Sequence, residues 1–200
     1  MKKPHPATLL LATCALFLAH AETPTLTVWD GGDAAKGGGW AAPKKDENTL
    51  KAQTAVSHSN DNALELHLEG DAWMGGGWNW HAWWPEDAGT DTTPYTHLVL
   101  WLRQKGDAIE NLTVTLSSSS TKNGAEPVAV AKYLKDADVN DGEWHEVLIP
   151  LADFKGADDK PYDPKAAWEI TLGSWSQNTR AFSLFVDDIA FTTREAKLEW

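Results

Sequence analysis

The sequence predicts an all-β protein, an antiparallel β-sandwich or jelly roll, on three observations. Apolar and polar residues alternate with period two over several short stretches, the pattern of half-buried strands. Turn-forming clusters rich in Gly, Asp, Asn and Pro separate these stretches. No long amphipathic helical pattern lies between them, so nothing supplies the crossovers a parallel sheet needs.

The elements follow in chain order. Lys2 and Lys3 precede an apolar run over 7–19 and a small-x-small site, Ala19-His20-Ala21. This is the pattern of a secretory signal peptide over residues 1–21, and the run is too short to span a membrane. Cys14 follows Leu11-Ala12-Thr13, but Thr before the Cys and the apolar run continuing through Phe17 and Leu18 argue against a lipoprotein. Residues 22–200 are then expected to form one exported domain, secreted or periplasmic. The single Cys lies in the signal, so that domain has no disulfide.

Residues 26–30 form a first candidate strand, closed by the turn Gly31-Gly32-Asp33. Leu64, Leu66 and Leu68 alternate with Glu65, His67 and Glu69. A strand is placed over 77–84, followed by a turn over 85–89. Leu98, Leu100 and Leu102 alternate with Val99, Trp101 and Arg103, and Leu112, Val114 and Leu116 with Thr113, Thr115 and Ser117. Asn123-Gly124 reads as a turn, 128–133 as a weaker strand and Asp141-Gly142 as a turn. Val147 and Ile149 mark a short strand ending at Pro150, with a helical turn over 151–155. Residues 168–172 are a further candidate strand. Phe182, Leu184 and Val186 alternate with polar or outward-facing neighbours, and 189–192 is read as a separate strand before a short tail over 194–200.

The net charge of −12 excludes nucleic acid and anionic membranes as natural partners. The densest chemical feature is aromatic: Trp73, Trp78, Trp80, Trp83 and Trp84 fall within one short stretch that includes Gly75-Gly76-Gly77. On a strand over 77–84, Trp78, Trp80 and Trp84 share one face and Asn79, His81 and Trp83 the other. One core cannot hide both faces, and an exposed patch of large aromatics implies a partner that covers it. Indole faces suit flat ligands such as sugar rings. The expected platform is Trp78, Trp80, Trp83 and Trp84, with Trp73 and Trp175 on the rim. Trp175 stands in the polar loop Gly173-Ser174-Trp175-Ser176-Gln177-Asn178. Trp101 and Arg103 are expected to look outward beside the cluster, and Arg103 and His81 to bond hydroxyls. Trp29, Trp144 and Trp168 are read as packing residues.

No nucleophile elbow, phosphate-binding loop or zinc spacing is present. Glu65 and Glu69 share one strand face, Glu143, Glu146 and Glu169 are scattered, and no evident catalytic pair stands out among the many acids. The acidic run over 136–142 does not match the spacing of a calcium loop.

Several segments resemble carbohydrate-binding modules of the galactose-binding-like jelly-roll superfamily, nearest to the family 11 and family 30 glucan-binding modules. Tyr95-Thr-His-Leu-Val-Leu-Trp-Leu-Arg103 is similar to one of their strands. The stretch from Gly142 through Trp144 and Ile149-Pro150-Leu151 to Phe154 resembles their strand and turn, and Val186-Asp187-Asp188-Ile189-Ala190-Phe191 their closing strand. The resemblance implies a concave face that binds a polysaccharide or oligosaccharide chain without catalysis and needs no cofactor. It also implies a structural calcium ion, with Asp30 and Asp188 as ligands. Two alternatives stay open: a small glycoside hydrolase or polysaccharide lyase on the same fold, and a protein-interaction module of the cell envelope. Tyr is sparse and Trp abundant compared with the family's clefts, so the glycan preference does not carry over.

Overall fold

The computed structural model describes residues 25–29, 31, 38–53, 55–59, 62–80, 89–119, 123–134, 137–156 and 162–194. These form twelve strands: β1 (Thr25–Trp29), β2 (Gly39–Ala42), β3 (Thr49–Gln53), β4 (Ala63–Gly70), β5 (Trp73–Asn79), β6 (His97–Gly106), β7 (Thr113–Ser118), β8 (Asn123–Gly124), β9 (Val128–Ala129), β10 (His145–Pro150), β11 (Ala167–Trp175) and β12 (Arg180–Thr192). Short 3₁₀ turns are the only helical elements among the described residues. None of these is long and apolar enough to cross a membrane.

Every strand pairing is antiparallel, and the strands make two six-stranded sheets, as expected of a jelly roll. The first runs β10-β6-β12-β4-β3, and the second β2-β5-β11-β7-β8. β9 also pairs with β7. The core lies between the sheets and follows the alternation. Leu64, Leu66 and Leu68 of β4, Leu98, Leu100 and Leu102 of β6, and Phe182, Leu184 and Val186 of β12 are all buried. They face Met74 and Trp78 of β5, Val114 and Leu116 of β7, and Ile170 and Leu172 of β11.

Four local expectations change. The last two predicted strands are one, β12, because two partners share one edge of it: β4 pairs with Arg180–Val186 and β1 with Ile189–Thr192. A bulge between Asp187 and Ala190 separates the two halves, and Asp188 there has φ 46°. Asn123-Gly124 pairs with Ser117-Ser118 as β8 instead of turning freely. Only Val128–Ala129 of the stretch over 128–133 is strand, since a 3₁₀ turn follows at once. β5 starts at Trp73, so the three glycines lie inside a strand.

Candidate functional site

The outer face of the second sheet carries one member of the tryptophan cluster, Trp73. Along β5, Met74, Gly76 and Trp78 point to the core and Trp73, Gly75, Gly77 and Asn79 point outward. Leu66 of the facing sheet fixes this choice: a Cβ on Gly76 would lie 2.3 Å from Leu66 Cδ1. Gly76 is thus the gap into which the core leucine fits.

Gly75 and Gly77 serve the opposite face. A Cβ on Gly75 would meet Cη2 and Cζ2 of Trp73 at 2.7 Å, and one on Gly173 of β11 would meet the same indole at 2.9 Å. The Trp73 ring therefore lies on bare backbone, across two neighbouring strands. Trp40 of β2 does the same one row on, with Nε1 2.9 Å from where a Gly77 Cβ would stand. The two indoles are neighbours, with centroids 6.2 Å apart and planes at 30°. Trp175, opposite Trp73 in register, extends the aromatic row and is 62 % exposed. Beside the rings, Thr171, Thr115 and Ser117 present hydroxyl-bearing side chains on the outward positions of β11 and β7.

Trp40 is anchored by chemistry as well as by contact. Its Nε1 donates to Glu169 Oε2 at 3.1 Å, and Thr171 Oγ1 donates to the other carboxylate oxygen at 3.3 Å. Glu169 is only 9 % exposed. Burial raises its carboxyl above the usual range, and the two hydrogen bonds offset part of that shift. Across the pair, Asn79 is fully buried and neither atom of its amide has a partner. Buried polar groups in such a state are rare in native proteins, and each calls for an explanation.

A sequence model of carbohydrate binding domain 30 matches residues 25–193. The chain belongs to that family. The family 30 module of a cellulosomal cellulase from Clostridium thermocellum superposes with a TM-score of 0.64 at 16 % identity, covering 86 % of this chain and 99 % of that one. A family 11 module from Clostridium thermocellum, in complex with a β-1,3-1,4-mixed-linked tetrasaccharide, gives 0.54 at 13 % identity, over 84 % and 95 %. A β-1,2-glucanase from Parabacteroides distasonis gives 0.58 at 20 % identity, over 84 % of this chain but 25 % of the enzyme. These likenesses establish the fold. No curated protein sequence matches.

The family 30 fold divides the expected site residues into separate places. Trp73 and Trp175 share the outer face of the second sheet. Trp78 does not: it is 1 % exposed and belongs to the core. Trp80 also turns inward, half-buried, with its ring 5.6 Å from that of Phe191 and its Nε1 donating to Thr90 Oγ1 at 3.0 Å. The face shared by Trp78 and Trp80 is the one that meets the other sheet. His81, Trp83, Trp84 and Asp30 lie outside the described residues.

Trp101 and Arg103 lie on β6, in the first sheet, and so on the opposite side of the sandwich from Trp73. Trp101 is covered by the His58 ring, stacked at 3.7 Å and 15°. Arg103 Nε donates to the carbonyl of Gly142 at 2.7 Å. Strand alternation placed both outward correctly, but which sheet a strand joins depends on distant pairing.

The residues that the sequence reading missed are Trp40, Asn79, Thr171 and Glu169 as a site group. A signal for Trp40 was available. Gly37-Gly38-Gly39-Trp40 repeats in Gly75-Gly76-Gly77-Trp78. The last two residues of the first copy pair with the end of the second, Gly39 with Trp78 and Trp40 with Gly77, so one tryptophan points in and the other out.

Of the two residues expected to hold a calcium ion, Asp188 is described and Asp30 is not. Both oxygens of Asp188 are engaged, Oδ2 by His58 Nδ1 at 2.6 Å and Oδ1 by the Ser59 hydroxyl. Asp187 accepts the backbone N–H groups of His58 at 2.8 Å and Ser59 at 3.3 Å. This pair clamps the 55–59 segment onto the sheet. Asn62 Oδ1 is a buried oxygen without a donor, and its Nδ2 donates to the carbonyl of Gly31 at 2.7 Å. Among the described residues no three His, Cys, Asp or Glu side chains converge.

Glu169 yields a stability prediction. A carboxyl with a raised folded-state pKa binds more protons folded than unfolded, so its contribution falls as pH rises above the ordinary Glu value. Glu169→Gln removes that titration and keeps an oxygen for the Trp40 indole. Its Tm is expected to exceed the wild type's at about pH 7, with the gain shrinking toward about pH 4. A Tm difference that does not change with pH would contradict this.

Proposed function

We propose that the chain is an exported, non-catalytic module that binds a polysaccharide of glucan type by stacking sugar rings on Trp40, Trp73 and Trp175. The observation that carries this reading is the pair of indoles laid on a strip of sheet cleared by Gly75, Gly77 and Gly173. A flat apolar surface rimmed by hydroxyls matches a pyranose, which has apolar C–H faces and a polar edge. The family supports carbohydrate binding in general, and the tetrasaccharide bound by the family 11 module suggests a β-glucan chain. The signal-like N-terminus supports export.

The non-catalytic part of the proposal rests on what stands beside the platform. Glycoside hydrolysis needs two carboxyl groups facing across the cleft, roughly 5–9.5 Å apart. Among the described residues on the outer face of β2, β5, β11 and β7, Glu169 is the only acid. None of these positions is a Lys, Arg, His or Tyr that might serve a lyase.

The test is affinity electrophoresis of the wild type and Trp101→Ala through gels containing soluble β-glucan, xylan or mannan. β-Glucan is expected to retard both proteins, because Trp101 is on the far side of the sandwich. No retardation by any polysaccharide would sink the reading. Release of reducing ends or unsaturated products would replace it with the enzyme.

A further inference from the structure

The end of the platform farthest from Trp73 and Trp175 is polar. Asn79 on β5, Glu169 on β11 and Ser117 on β7 face one another in register, about 4.8 Å apart from strand to strand. Glu169 is the only charged side chain among the described outward positions of β2, β5, β11 and β7, and none of the ion pairs among the described residues includes it. The Asn79 amide is fully buried and bonded to nothing. A buried amide without partners is costly, and a polar ligand group arriving at that spot relieves the cost.

We propose that Glu169, with Asn79 beside it, sets the ligand class of this face by accepting hydroxyl hydrogens from an uncharged sugar and excluding sugars that carry a carboxylate. The inference rests on the glycan-binding reading. An ionised carboxylate only accepts hydrogen bonds, so it suits a hydroxyl and offers nothing to a second carboxylate. Two like charges in a half-desolvated site repel, which is discrimination by an unfavourable contact. The Asn79 amide both donates and accepts, so it serves hydroxyls in either orientation. Because Trp40 Nε1 is bonded to Glu169, the stacking surface and the hydroxyl acceptor are held as one unit.

The experiment compares a soluble mixed-linkage β-glucan with the same polymer after oxidation of its primary hydroxyls to carboxylates. Wild type, Glu169→Gln and Asn79→Ala are titrated with both at about 1 M salt, where a Debye length of about 3 Å screens the chain's overall negative charge. The wild type is expected to prefer the neutral polymer by about tenfold or more, and Glu169→Gln to reduce that ratio to within about threefold. Asn79→Ala is expected to weaken binding to both polymers while keeping the ratio. An unchanged ratio in Glu169→Gln overturns the proposal, and so does a wild type that binds both polymers equally. A wild type that binds neither overturns the glycan reading along with it.

Discussion

Replacing Trp73 by alanine is expected to weaken β-glucan binding by at least about 30-fold, or ~2 kcal/mol, the scale of an aromatic hot spot. Trp40→Ala is expected to do the same. Both rings rest on backbone and expose their upper surface, so truncation removes the stacking surface without opening the core. The Trp40 change also frees Glu169 from its indole partner. Thermal unfolding should show both variants folded, with modest losses, since each ring still packs one side against the sheet. Titration calorimetry measures the affinity loss. Wild-type affinity in both variants would place the ligand elsewhere.

Trp78→Ala is expected to show the opposite balance. The side chain is 1 % exposed, between two sheets, and its neighbours cannot collapse into the space of an indole. The cost is about 3–5 kcal/mol, from lost burial and the cavity left behind. For a domain with a stability of roughly 5–15 kcal/mol, that removes a large share. Chemical denaturation should show a much lower midpoint. Where the protein remains folded, affinity per folded molecule should stay near the wild type's. Trp73 and Trp78 are five residues apart in one strand, yet one should fail in binding and the other in folding.

The contrast between those tryptophans shows what the sequence could and could not convey. The alternation in β4, β6, β7 and β12 identifies the core directly, because every second residue is a large aliphatic or phenylalanine. In β5 both faces carry large or absent side chains, so alternation separates two sets without saying which is inside. The decision belongs to Leu66, on another strand, which needs the space at Gly76. Trp101 and Arg103 face outward as expected, but on the other sheet, and sheet membership is set by pairings across the whole chain. β2 and β3 left little trace. Gly39-Trp40-Ala41-Ala42 is poor in β-branched residues and Thr49–Gln53 is a short edge strand, so neither carries a run of apolar alternation. Glu169 was visible only as one acid among many; its burial and its bond to Trp40 exist only once β2, β5 and β11 are side by side.

The most direct test is an NMR titration of the tryptophan side-chain Nε1–H signals with a soluble β-glucan oligosaccharide. The signals of Trp40, Trp73 and Trp175 are predicted to shift and saturate together, while those of Trp29, Trp78 and Trp101 stay in place. Movement of the Trp101 signal with Trp40 and Trp73 unmoved would contradict the account.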